Sequence, residues 1–202
     1  MTFDKEIALA CMEVYTDEPD FVHGNIEVRI YRIGNAFCFV HRGTDSNYDA
    51  LTDLRAIPWH VSELGCWCHS GFAKGVRGWW GNGGMFKKLL PHIKMAHDNG
   101  MDIVFSGHSK GGAEATLEAA LCNKLGIPCR LITFGSPKVA TKGLLAALRG
   151  VEAVRYVLGI DVVPRLPKGL WWCHVWRLKH LISEIEHDYH NHRIADYWKA
   201  TP

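Results

Sequence analysis

Apolar residues near the amino end return at Ile7, Ala10, Cys11, Val14 and Tyr15, a three-and-four spacing that predicts an amphipathic helix over residues 3–16 lying against a sheet. The period then shortens to two. Ile26 to Ile33 alternates as IEVRIYRI, Gly34-Asn35 breaks the run, and Ala36 to Val40 is apolar again, which reads as a hairpin entering the core. Lys87 to His97 regains helical spacing through Leu89, Leu90, Ile93 and Ala96 and leads into a buried strand at Ile103 to Phe105. A helix over 112–124, a strand from Arg130 to Phe134 closed by Gly135-Ser136-Pro137, a helix from Thr141 to Leu148 and a strand from Ala153 to Leu158 follow. Helices alternating with strands require crossover connections, so the pattern predicts an α/β fold with a mostly parallel central sheet flanked by helices. Ala56 to Gly84, rich in Trp and Gly, shows no period and reads as loop or partial cover.

Composition narrows the class. A chain of 202 residues suits one sizeable core, so residues 1–202 are expected to form a single domain. A formal net charge of +2 is too near balance for electrostatic capture of nucleic acid. No stretch approaches the roughly 18 apolar residues of a membrane span. The first residues carry acids and a lysine early and build no apolar signal core, which predicts a cytoplasmic protein. Seven scattered cysteines suit reduced, buried thiols better than a disulfide framework. Cys66-Trp67-Cys68-His69 tempts a metal reading, but no second ligand pair stands at a recognised spacing, so neither metal nor organic cofactor is expected.

The chemistry gathers around MDIVFSGHSKGG, residues 101–112, where a short apolar run ends in Gly107-His108-Ser109-Lys110-Gly111 and a helix-forming stretch follows at once. A strand, a sharp turn and a helix push the serine hydroxyl out of the backbone envelope, and glycines flank it because Cβ atoms there would collide with neighbouring elements. Ser109 is therefore the candidate nucleophile, the alternative being a glycine-rich turn with an incidental serine.

A serine hydroxyl is a poor nucleophile at neutral pH and needs a base held by an acid. Asp161 lies just past a predicted strand, where a carboxylate can receive an imidazole N–H, although a turn aspartate fits the same place. For the base, His187, His190 and His192 fall within six residues, and His192 directly precedes the helical pattern of Ile194, Tyr197 and Trp198. The spacing leaves all three open. The oxyanion needs donors: the Lys110 N–H after the nucleophile, and Thr44 at the end of the early strand, with Arg42 placed to pin that loop through a carboxylate.

In order along the chain stand Val40-His41-Arg42-Gly43-Thr44, His69-Ser70-Gly71-Phe72, Gly107-His108-Ser109-Lys110-Gly111-Gly112, Thr133-Phe134-Gly135-Ser136-Pro137, Asp161-Val162-Val163-Pro164 and His174-Val175. From about Val28 to Tyr197 the chain thereby resembles the fungal-type, class 3 triacylglycerol lipases of the α/β-hydrolase superfamily. The resemblance implies Thr44 as the oxyanion residue and Asp161 as the acid, and it selects His192, five residues before Tyr197, as the base. It also places a lid after the oxyanion residue, here Asp45 to Ala56. Two departures stand out: Lys110 stands where the family usually has leucine or another less charged residue, and the chain is shorter than most relatives.

These residues point to a serine ester hydrolase, a lipase or carboxylesterase whose partners are a small ester or lipid and, transiently, a lipid surface. Ser109, Asp161 and His192 would carry the chemistry, with Thr44 and Lys110 at the oxyanion. A phospholipase or thioesterase would use the same apparatus, and a non-catalytic lipid-binding or interaction module on the same fold is the alternative from another class. Zinc-dependent hydrolysis through the Cys66 or His187 clusters would reveal itself by sensitivity to chelators.

Overall fold

The structure is a computed structural model that describes residues 1–44, 57–78, 83–174, 177–182 and 192–202. Period-two alternation along its central strands sends bulky side chains to both faces of one sheet. The strands are β1 (Phe21–His23), β2 (Ile26–Ile33), β3 (Ala36–His41), β6 (Asp102–His108), β7 (Arg130–Phe134), β8 (Glu152–Leu158) and β9 (Arg177–Leu181), in the spatial order β1-β2-β3-β6-β7-β8-β9. β1, β2 and β3 are antiparallel, and every pairing from β3 to β9 is parallel. A separate antiparallel pair, β4 (Pro58–Val61) and β5 (Cys66–His69), occupies part of the stretch expected to be irregular.

Each face has its own core. Phe37, Phe39, Ile103, Phe105 and Leu131 point to the side covered by α2 (Ser70–Arg77), α3 (Met85–Asp98), α4 (Lys110–Lys124) and α5 (Gly143–Ala147). Cys38, Val40, Val104, Ile132, Phe134 and Tyr156 point the other way, against α1 (Phe3–Glu13) and α6 (Ile194–Ala200). The alternation within β3 and β6 is what separates the layers, since successive strand side chains face opposite sides. α1 presents Ile7, Ala8, Ala10 and Cys11 to the sheet and ends at Glu13, short of the expected limit.

β6 is the hinge of the design. It pairs with β3 on one side and β7 on the other, so its carboxyl end, where the chain enters α4, stands between the ends of both neighbours. Residues following β3, β6, β7 and β8 therefore converge at one edge of the sheet, the place where open α/β sheets hold their ligands.

The cysteines have mundane environments. All seven are free thiols, six of them buried. His69 Nδ1 accepts from the Gly71 N–H and caps α2, while the Cys66 and Cys68 sulfurs lie 3.7 Å apart as a weak hydrogen-bonded pair. Among the described residues no group of three His, Cys, Asp or Glu side chains could hold a metal ion, and no helix is long and apolar enough to cross a membrane.

Candidate active site

Ser109 sits between β6 and α4 at φ 56° and ψ −127°, the one non-glycine with positive φ among the described residues. That conformation costs on the order of 1–3 kcal/mol and persists only where the surroundings enforce it. Here they do. The Ser109 N–H donates to the Phe134 carbonyl at 2.9 Å, and its own carbonyl accepts from the Gly112 N–H at 3.0 Å. A Cβ on Gly107 would stand 2.5 Å from the Gly111 carbonyl carbon, and one on Gly111 would stand 2.4 Å from the His41 carbonyl oxygen. The glycines thus let the elbow fold on itself and press against the end of β3.

The hydroxyl of Ser109 lies 2.8 Å from His192 Nε2, and His192 Nδ1 lies 2.8 Å from Asp161 Oδ2. A carboxylate accepts, so Nδ1 carries the proton and Nε2 is left to accept from the serine. Asp161 is itself held at both oxygens. Oδ1 accepts from the Val163 N–H at 2.9 Å, and Oδ2 accepts from the Tyr197 hydroxyl at 2.6 Å. Burial and the adjacent Asp161 raise the Tyr197 phenol well above its ordinary pKa, which keeps it a donor. Gly135, at φ 58°, makes room for this pair: a Cβ there would meet Asp161 Oδ2 and His192 Cε1, each at 3.1 Å.

His108, the residue before Ser109, supports the His192 imidazole from behind. Its Nε2 donates to the His192 carbonyl at 2.7 Å, and its Nδ1 accepts from the Tyr15 hydroxyl at 2.9 Å. Burial and the neighbouring His192 depress the His108 pKa well below the usual histidine value, so the ring is neutral and this tautomer satisfies both nitrogens. The aromatic side chains of Tyr15, His108, Phe134 and Tyr197 form a wall behind Ser109 and His192.

The residues expected at the oxyanion come from two neighbouring segments. Lys110 begins α4, and the first N–H groups of a helix lack intrahelical acceptors and are free to meet an anion. Thr44 follows Gly43, whose missing side chain lets the loop lie against the elbow, since a Cβ there would come within 2.8 Å of the His108 carbonyl oxygen. Arg42 pins the loop through Glu27 at 2.9 Å. Thr44 and Lys110 line a common depression with Asn25, Glu27, Arg42 and Gly43. The Lys110 ammonium is drawn aside, donating to the Asn25 carbonyl at 2.7 Å and to Glu114 at 3.0 Å.

Behind the elbow lies a second polar group. His41, Glu114 and Glu118 are all buried, with His41 Nε2 2.8 Å from Glu118 Oε2 and His41 Nδ1 3.8 Å from Glu114 Oε2. Burial opposes a charged imidazole, but the two carboxylates outweigh it and raise His41 to about 9.

The structure therefore brings Ser109, His192 and Asp161 into one hydrogen-bonded chain, with Thr44 and Lys110 beside it. His187, His190 and the expected cover at Asp45 to Ala56 lie outside the described residues. Sequence reasoning used Tyr197 only as a spacing marker and did not assign it to the acid; the signal was its position on the helix that begins two residues after His192. It also gave no role to His108 or to the His41 cluster.

Comparison with known proteins agrees with the topology. A lipase from Rhizopus microsporus var. chinensis superposes with a TM-score of 0.69 at 20% identity, covering 83% of this chain and 61% of that one. A secreted mono- and diacylglycerol lipase from Fusarium solani is 37% identical over 106 residues, 51% of this chain and 30% of its own. The diacylglycerol lipase-beta of Mus musculus is 27% identical over 171 residues, 73% of this chain and 24% of its own. The chain thus spans less than a third of the length of these curated relatives. The fungal relative's description as secreted overturns the cytoplasmic location expected from the amino-terminal residues, because lack of an early apolar core is weak evidence about export. The family model for lipase (class 3) matches residues 38–170, well over half the sequence and running from within β3 past Asp161, and this chain belongs to the class 3 lipase family.

Proposed function

We propose that residues 1–202 form a single catalytic domain that hydrolyses carboxylic esters of lipids, with Ser109 as nucleophile, His192 as general base and acid, and Asp161 as the group that holds the imidazole. The observation that carries this reading is the pair of 2.8 Å contacts joining Ser109 Oγ to His192 Nε2 and His192 Nδ1 to Asp161 Oδ2. Ser109 Oγ attacks the ester carbonyl as its proton passes to His192 Nε2, and the carbonyl π pair moves onto oxygen. The Lys110 N–H and Thr44 would receive that oxyanion, where preorganised donors contribute most because the charge exists only in the transition state and intermediate. Collapse expels the alcohol, which takes the proton from Nε2, and leaves an acyl-serine. Water then repeats the sequence, giving its proton to His192 and releasing the carboxylic acid.

The relatives' names mention mono- and diacylglycerols, so acylglycerols with a free hydroxyl are the substrates to try first. Ser109→Ala in folded protein should lower hydrolysis of a soluble p-nitrophenyl ester by about 10³-fold or more and abolish labelling by a fluorophosphonate. Unchanged turnover would move the nucleophile elsewhere. Absence of both turnover and labelling in the parent protein would favour a non-catalytic lipid-binding module.

A further inference from the structure

We propose that the loop carrying Leu170 and Trp171, together with the basic residues around it, docks the protein on an anionic lipid surface. The inference rests on the lipid-ester reading above and adds to it a surface and a partner of stated charge. Leu170 is 97% exposed and Trp171 80% exposed, two consecutive large apolar residues in a turn. Isolated exposed apolar residues are common and mean little, but adjacent Leu and Trp beside cations have the composition of an interfacial anchor. The loop is held firmly at its base. Cys173 N–H donates to the Ala140 carbonyl at 2.8 Å, and Ala140 bridges in turn to Cys68 of β5. Half-exposed Trp67 on β5 extends the apolar character, its carbonyl accepting from the Thr141 N–H at 2.9 Å.

Charge supplies the complement. Lys142, Arg165 and Lys168 are exposed on the segments that make this face. No Asp or Glu occurs between Glu118 and Glu152, or between Asp161 and Glu184, so both segments are purely cationic. Glu63, in the turn between β4 and β5, is paired with Arg77 at 2.7 Å. Basic residues beside a bilayer are drawn to anionic headgroups, while Trp and Leu enter the interfacial layer. The geometry also suits a lipid substrate. Residues 136–142 leave the carboxyl end of β7 and residues 162–171 follow Asp161 beyond β8, so the loop sits at the same edge of the sheet as the reacting groups. A docked loop would turn that edge towards the bilayer.

The test is sedimentation of Ser109→Ala protein with phosphatidylcholine vesicles with and without phosphatidylserine. Omitting turnover separates docking from catalysis. Binding should be stronger to the phosphatidylserine vesicles and should weaken as salt is added. Leu170→Ser with Trp171→Ser should weaken it by about tenfold or more, since burial of either side chain is worth at least that much. Lys142→Glu with Lys168→Glu should remove the preference for phosphatidylserine. With Ser109 intact, both double variants should hydrolyse a dissolved short-chain ester at the parental rate, which also shows that they fold. Equal binding to both vesicle types, or unchanged binding by the Leu170 and Trp171 variant, would overturn the proposal. Loss of ester turnover in the parent with vesicle binding intact would instead overturn the enzymatic reading.

Discussion

Two buried polar networks flank the elbow and differ in how completely they are satisfied. Around His192 each member has a defined partner: Ser109 and Asp161 at its ring nitrogens, His108 at its carbonyl, Tyr197 and the Val163 N–H at the carboxylate. Around His41 the pairing is incomplete. Glu118 Oε2 is within hydrogen-bond reach, but His41 Nδ1, Glu114 Oε2 and Glu118 Oε1 lack hydrogen-bond partners among the described residues. The first network fixes the orientation of the His192 ring between Ser109 and Asp161. The second holds opposite charges at the junction of β3 and α4, and its members are spent on each other and on Lys110. A site that must react needs aim, whereas a structural ion cluster needs only balance, because an unpaired buried charge is far costlier than an imperfect bond.

Asp161→Asn gives the largest separation between the two. It should lower kcat by about 10³ to 10⁴-fold, since the amide favours the wrong imidazole tautomer, with the thermal midpoint little changed. Glu118→Ala should do the reverse, costing about 3–5 kcal/mol of stability in denaturant titration because His41 is left charged and buried. At temperatures where that variant stays folded, kcat should remain within a few-fold of the parent. A catalytic loss rivalling that of Asp161→Asn would bring the His41 cluster into the reaction and dissolve the distinction.

Tyr197→Phe should fall between these. Removing one hydrogen bond to a charged carboxylate is worth about 1.5–3 kcal/mol, so kcat should drop by about ten- to a hundredfold with KM nearly unchanged. An equal fall in stability with no change in kcat would make the phenol a packing residue.

The last effect is read in pH. His41 is raised from 6.5 to about 9, so its contribution to stability is complete below 6.5 and is lost as the pH rises through about 9. His174, depressed to about 4 mainly by burial, acts on the opposite limb: it favours the folded state above 6.5 and loses that advantage as the pH falls towards 4. Melting temperature against pH should therefore decline on both sides, and His41→Gln should flatten the alkaline limb alone. An unaltered alkaline limb would mean that His41 is neutral in the folded protein.

Long periodic segments were legible from sequence, and so was the elbow. The spans of β2, β3, β7 and α3 match their hydrophobic patterns because each buries one continuous face or both. β1, β4 and β5 were not read, being only three or four residues long, too short to show a period. β9 escaped for another reason: four of its five residues are exposed, so it lacks the apolar signal of an interior strand. α2 hid within a Gly- and Trp-rich stretch whose helical start is capped by a histidine instead of the commoner Ser, Thr, Asp or Asn.

The amino-acid sequence by itself determined the α/β alternation, the glycines that permit Ser109 its left-handed backbone, and Ser109 as a candidate nucleophile at the elbow, because these are written in spacing within short segments. Only the tertiary structure decided which distant residues meet. His192 reaches Ser109 across 83 positions, Tyr197 reaches Asp161 across 36, and the His41 ring lies against Glu118 from 77 positions away. Glu114 and Glu118, four residues apart on a helix, have the spacing of an ordinary solvated face, yet both are buried. Burial and pairing of that kind depend on strand order and on which helix face meets the sheet, properties of the assembled layers that no local period encodes.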